Sequence, residues 1–247
     1  MNPERTFEIW RGDRQGGAFQ TYRTEVAPGM VVLDAVHAVQ AESANDLAVR
    51  WNCKAGKCGS CSAEINGKPR LMCMTRLSDL PDDPVRIEPM KAFPLIRDLV
   101  TDVSSNYEAK KKIEPFKPRP ADAPDGTWRM AQSDVDRVQE FRKCIECFLC
   151  QDVCHVLREH ALHDKFIGPR NLVHVAALEM HPLDVADRLP KLRDEHGAGY
   201  CNITKCCTKV CPEGITITDN AIIPLKERIV DRYYDPLRTF MRIVGID

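Results

Sequence analysis

Two cysteine runs constrain this chain more than anything else in it: CIECFLCQDVC, from Cys144 to Cys154, and CNITKCCTKVCP, from Cys201 to Pro212. Neither can complete a metal site alone. The first is spaced Cys144-x2-Cys147-x2-Cys150-x3-Cys154, a pattern in which three close cysteines hold one iron–sulfur cluster and the fourth ligates a second. Cys154 must therefore find its co-ligands elsewhere. The second run ends in Cys-Pro, as that pattern does. With Cys211 as its last ligand, Cys207 and Cys201 fall into register behind it, and Thr204 stands where one more cysteine is due. Four thiolates (Cys144, Cys147, Cys150, Cys211) are left for a 4Fe-4S cluster and three (Cys154, Cys201, Cys207) for another. A cuboidal cluster short of a thiolate readily lacks that iron, so the second is expected to be 3Fe-4S. Cys206 is expected to turn away as a buried or free thiol, because neighbouring residues of a ligand loop rarely face the same atom.

Structural zinc and disulfides are the plainer readings of so many cysteines. Zinc knuckles usually come as two separated Cys-x2-Cys pairs, each giving half of a tetrahedron. Here three cysteines fall between positions 144 and 150 and a fourth follows at 154, which crowds a single ion but suits the face of a cluster. Disulfides need an oxidising compartment, and the opening MNPERTFEIW has neither an apolar export core nor a twin arginine, so reduced thiols are expected.

A chain of 247 residues, 43% of them apolar, can bury a core in each of two domains. Its 35 basic and 36 acidic residues leave a formal charge of -1, which excludes the basic footprint of a nucleic-acid binder. No apolar run approaches the length of a membrane span, so any membrane role is expected to come through a partner.

In chain order, TFEIW and FQTYRTEV alternate as two strands, with Gly16-Gly17 as the expected turn. MVVLDAVHAVQAE places Leu33, Val36 and Val39 at helical spacing, with His37 as a packing or surface residue. Next, Cys53-x4-Cys58-x2-Cys61, with Cys73 beyond, is the plant-type spacing of a 2Fe-2S cluster. Gly56 and Gly59 let that loop close tightly. Asn66-Gly67 signals a hairpin that returns Cys73 to the loop, and VRIEPM reads as the last strand of a beta-grasp ferredoxin domain. PLIRDLVTDVSSNYEAKKK spaces Leu95, Leu99 and Val103 as an amphipathic helix ending in lysines. Four prolines between Pro115 and Pro124 mark a linker. Ser133 followed by Asp136 suggests a helix cap before the helix that leads to Cys144. GPRNLVHVAALEM and IIPLKERIVDRYY are expected helices with Pro169 and Pro224 in their first turns. The fold class is α+β. A beta-grasp ferredoxin domain with its following helix occupies 1–112, a Pro-rich linker 113–127, and an all-helical, bacterial-ferredoxin-like domain 128–247.

The ordered set of plant-type 2Fe-2S loop, FPLIRDLV segment at Phe93 to Val100 as a helix start, and doubled cysteine run with Thr204 at the gap closely resembles the iron–sulfur subunit of succinate dehydrogenase and fumarate reductase. That resemblance covers nearly the whole chain. It implies an electron relay: a flavoprotein subunit carrying FAD oxidises succinate, and electrons pass through 2Fe-2S, 4Fe-4S and 3Fe-4S clusters to quinone in cytochrome b-type membrane-anchor subunits, with haem there as an option. It implies a peripheral position on the cytoplasmic face of the cell membrane, and no residue of this chain touching succinate. His155, next to a ligand of the three-iron cluster, becomes the candidate for a quinone-proximal group. Relatives commonly place Pro-Ser and a tryptophan pair after that cysteine and a histidine where Asn202 stands, a departure at the quinone pocket. The relay can run as succinate dehydrogenase or, in reverse, as fumarate reductase. A soluble iron–sulfur partner of another flavoprotein oxidoreductase and a non-catalytic zinc scaffold are the alternatives.

Overall fold

The computed structural model describes residues 3–81, 84–237 and 241. Strands β1 (Glu4–Asp13) and β2 (Gly16–Glu25) pair antiparallel along their whole length, with Phe7 and Ile9 fully buried on one face. The turn between them is Arg14–Gln15, not Gly16-Gly17. Both glycines already belong to β2, and a Cβ on Gly17 would stand 2.3 Å from the Arg11 carbonyl oxygen, so close strand approach is what excludes a side chain there. Helix α1 (Val32–Glu42) buries Val32, Leu33, Ala35, Val36 and Val39, as the spacing predicts. The Asp34 carboxylate accepts the Val31 amide at its start (3.1 Å). Strands β3 (Ser62–Ile65) and β4 (Lys68–Leu71) form a hairpin on Asn66 and Gly67, whose φ values of +49° and +72° fit a type I′ turn. Strand β5 (Val85–Glu88) then runs parallel to β1 and antiparallel to β3, which completes the beta-grasp.

The chain does not become helical at Phe93. Strands β6 (Leu95–Arg97) and β7 (Val100–Thr101) follow instead, giving the sheet order β4-β3-β5-β1-β6-β7 with β2 also on β1. The reason lies in Asp98, at the tip of this hairpin with φ +49° and 2% exposure. Its carboxylate accepts the amides of Gly12 (2.9 Å) and Ala48 (2.8 Å) and Nε of Arg11 (3.1 Å). Three long-range donors on a buried anion outweigh a local apolar spacing. Helix α2 begins only at Ser104 and ends at Lys111, its lysines at the negative end of the helix dipole.

The proline-rich segment runs extended against the rest of the chain. Arg119 N donates to Leu183 O (2.8 Å) and Val185 N to Lys117 O (2.9 Å), while the buried Arg188 donates to the carbonyls of Glu114 and Pro115. Helix α3 (Gln132–Gln139) starts behind Ala131 with no side-chain cap, so Ser133 lies inside the helix rather than at its cap. A tight turn at Glu140–Lys143 delivers the chain to Cys144. Short helices α4 (Leu149–Asp152) and α5 (His155–Arg158) follow, then α6 (Gly168–Glu179), α7 (Leu189–Asp194), α8 (Cys206–Lys209) and α9 (Ile223–Tyr233), the last entered through a wide π turn at Ile217–Ile222. Pro169 and Pro224 sit in the first turns of α6 and α9, where a missing N–H costs nothing.

One apolar core runs through sheet and helices alike, from Phe7 to Ile229. Polar contacts cross at the same seam. The Ser62 hydroxyl donates to the Cys147 carbonyl (2.9 Å), the Ala92 amide to Asp152 (2.9 Å), and Gln151 to Asn106 (2.7 Å). The Glu64 carboxylate, fully buried, is paired with Arg158 and with Lys91 (3.2 Å).

Candidate functional site: three groups of thiols

The loop from Cys53 to Cys61 curls through Gly56 and Gly59, at φ +68° and +69°. Two of its amides, those of Ala55 and Lys57, point at Cys53 Sγ from 3.3 Å, the arrangement by which successive N–H groups stabilise an anionic sulfur. The Met72 amide donates to Cys61 O (3.0 Å), so the hairpin does return Cys73 to this loop. Cys61 and Cys73 are buried and Cys53 is exposed. Burial pushes the Cys61 thiol up to about 12. Cys58 sits lower, at about 7, because hydrogen bonds from Ser60 and the Cys53 amide overcome its desolvation.

The two later runs repeat one backbone. In the first, Glu146 and Phe148 take φ of +55° and +61°, and Phe148 starts α4; in the second, Ile203 and Lys205 take +62° and +61°, and Lys205 starts α8 with φ and ψ identical to those of Phe148. Superimposing these steps sets Cys144 on Cys201, Cys147 on Thr204, Leu149 on Cys206 and Cys150 on Cys207. Thr204 therefore occupies the step that Cys147 fills in the first run. Only glycine takes φ > 0 without strain, so four non-glycine residues held there mark loops whose amides are turned to one side.

Around the first run lies a small cavity lined by Cys144, Cys147, Cys150 and Cys211 with Phe148, Val173 and Ile215. A second small cavity is lined by Cys154, Cys201 and Cys207 with Thr204, His155 and Asn202. Each cavity thus draws thiols from both runs. Cys206 does not turn away: it lines the second cavity, with its Sγ 3.2 Å from Thr204 Oγ1. Adjacent thiols, Cys206 and Cys207, thus face one space, whereas Leu149, at the matching step of the first run, does not line the first cavity. His155 Nε2 accepts the Asn202 amide at 2.9 Å.

The donor set fits iron–sulfur clusters. Among the described residues no three thiols, imidazoles or carboxylates converge on a single-ion point; the sulfurs stand around spaces instead. Burial drives Cys147 up to about 12, Cys154 to about 11 and Cys150 well above its ordinary value. Burial favours the neutral thiol, and a bound cation would favour the thiolate. The Ile215 amide faces Cys211 Sγ (3.4 Å) and the Thr218 hydroxyl faces Cys207 Sγ (3.4 Å). Within the second group, Cys206 is drawn down to about 5 by hydrogen bonds from Cys207, Thr204 and His155, and Cys207 is pushed up by the same contact.

Sequence reasoning missed Arg170. Its guanidinium, 4% exposed, lines the first cavity and pairs with Glu146, which Lys110 also holds (2.6 Å). Nothing local in GPRNL marks that role; it depends on α6 packing against the first run.

A beta-grasp sheet with a cysteine loop, joined to a helical unit with two interleaved thiol cavities, defines an iron–sulfur protein of two ferredoxin-type parts. The chain matches the 2Fe-2S iron-sulfur cluster binding domain over residues 6–108 and the 4Fe-4S dicluster domain over 140–215. It is 35% identical over 201 residues to the fumarate reductase iron-sulfur subunit of Mycobacterium tuberculosis, covering 80% of each chain. To the succinate dehydrogenase iron-sulfur subunit of Paracoccus denitrificans it is 30% identical, over 92% of this chain and 89% of the relative. A chain of the Mycobacterium smegmatis Sdh1 complex in the apo form superposes with a TM-score of 0.91 at 59% identity, over 96% of this chain and 100% of that one. The chain belongs to the family of iron–sulfur subunits of succinate dehydrogenase and fumarate reductase, the electron-transfer subunits of those oxidoreductases.

Proposed function

We propose that this chain relays electrons from a FAD-bearing flavoprotein subunit that oxidises succinate to quinone at membrane-anchor subunits of the cytochrome b type. Cys53, Cys58, Cys61 and Cys73 hold the 2Fe-2S cluster, Cys144, Cys147, Cys150 and Cys211 the 4Fe-4S cluster, and Cys154, Cys201 and Cys207 the 3Fe-4S cluster. The observation that carries this reading is the repeated backbone, which sets Thr204 at the step of Cys147 and leaves the second cavity one thiolate short at that corner. Bound clusters supply one-electron acceptors at three successive points.

What the chain adds is position. Gly59 brings the first loop against Cys147, and amide donors face the Cys53 sulfur. Beside the last cavity, His155 is placed to offer a proton or a hydrogen bond to quinone, its Nε2 already engaged by Asn202. No helix among the described residues is long and apolar enough to cross a membrane, so attachment to the cytoplasmic face falls to the anchor subunits, with haem, where present, held there. The 59% identity to a chain of an Sdh1 complex supports succinate oxidation as the working direction, over fumarate reduction.

Electron paramagnetic resonance of the oxidised protein tests the assignment, because oxidised 2Fe-2S and 4Fe-4S clusters are diamagnetic and an oxidised 3Fe-4S cluster is not. The isolated protein should show that resonance, and Thr204→Cys should abolish it by admitting a fourth iron. Absence of that resonance from oxidised samples of both the wild type and a variant lacking Cys206 would overturn the three-iron reading. Purification with flavoprotein and membrane subunits, rather than with a soluble flavoprotein alone, checks the partners.

A further inference from the structure

Of the twelve cysteines, Cys206 is the one for which the relay just described has no use. Its placement is nevertheless specific. Four thiols, not three, line the second cavity: Cys154, Cys201, Cys206 and Cys207. Of these, Cys206 is the one that meets Thr204, its Sγ 3.2 Å from the hydroxyl at the step where the first run supplies Cys147. A threonine oxygen and the sulfur of a ligating cysteine stand at nearly the same distance from the chain, so Cys206 Sγ lies beside the corner that lacks a ligand. The first run has Leu149 at the matching step, and no surplus thiol. Cys206 also borders the open groove walled by Met74, Lys209 and Val210, which gives an ion from solvent a route to that corner.

We propose that Cys206 is a reserve ligand for a fourth iron, so that the second site can pass between three-iron and four-iron forms. This rests on the three-iron reading of that site. With the cluster holding the one electron that the relay delivers, one ferrous ion enters at the Thr204 corner. An iron–sulfur bond forms to the Cys206 sulfur, and any proton that sulfur still holds leaves to solvent as its S–H bond breaks. No further electron moves, and loss of the iron reverses each change. Thiolate softness favours sulfur over the Thr204 hydroxyl as the ligand.

The test uses the purified complex, wild type and Cys206→Ala, reduced anaerobically with dithionite, incubated with ferrous ion, freed of excess metal and gently reoxidised. In the wild type the three-iron resonance should fall at least about twofold, with a gain approaching about one iron per complex. Cys206→Ala should keep its resonance and gain none, while the 2Fe-2S and 4Fe-4S signals of the reduced sample report that the variant is folded. A wild-type sample that starts without the resonance, beside a Cys206→Ala sample that shows it, also supports the proposal, because the fourth iron is then already bound. Equal loss in both proteins, or no change in either, overturns it. Absence of the resonance in both proteins before any iron is added overturns the three-iron reading itself, and the proposal with it.

Discussion

Asn202 and His155 lie 47 residues apart in the chain and meet at 2.9 Å on the rim of the second cavity. If His155 serves quinone, His155→Ala should slow quinone reduction by roughly a hundredfold, the low end of what a positioned proton donor contributes. Succinate oxidation by a dye that takes electrons upstream should be unchanged, and equal losses in both assays would count against the role. A second histidine speaks to stability. His174, in α6, is held down to about 4 by burial and then by Arg170 and Lys110. An unfolded imidazole titrates near 6.5, so between those values the unfolded chain binds more protons and stability falls as the pH drops. His174→Gln should reduce the loss in melting temperature between about pH 7 and about pH 5. His37, His181 and His196, also shifted down by burial, keep the remainder of that slope.

Among the elements, the β6–β7 hairpin depends most on a single side chain. Asp98→Ala leaves the Gly12 and Ala48 amides and Arg11 without their buried acceptor, and should cost about 3 kcal/mol. A melt followed through the visible absorbance of the 2Fe-2S chromophore should show it, and a shift no larger than that of a surface aspartate would deny Asp98 this part. The same hairpin shows where sequence stops being legible. Asn66-Gly67 and the α1 spacing act within a few residues, so they can be read directly. Asp98 acts through partners at positions 12 and 48, and its local pattern of Leu95, Leu99 and Val103 mimics a helix. Cys206 was misread because the rule that neighbouring side chains of a ligand loop diverge does not hold there: it lines the cavity beside Cys207 and meets the Thr204 hydroxyl. The cysteine spacings, by contrast, carry the thiol groupings almost unaided, because the ligand geometry of a cluster is itself written as short intervals along the chain.

At the scale of the molecule, sheet and helices are brought close by an absence of atoms. A Cβ on Gly59 would stand 2.5 Å from Cys147 Cα, in a left-handed backbone besides. Gly59→Ala should therefore push the first thiol loop away from the first cavity. Magnetic coupling between the two reduced clusters should weaken, and electron transfer through the complex should slow; an unaltered coupling would mean the seam yields elsewhere. The interleaving of the two runs has a consequence for how the chain is assembled. Whatever ties Cys150 to Cys211 closes a loop of 61 residues, and in an unfolded chain such a closure removes entropy equivalent to about 4 kcal/mol. The second site, tying Cys154 to Cys201, closes another loop inside the first. Iron held at the sites proposed above would act as a pair of nested cross-links as well as a conductor, doing for these free cysteines what disulfides do for a secreted chain.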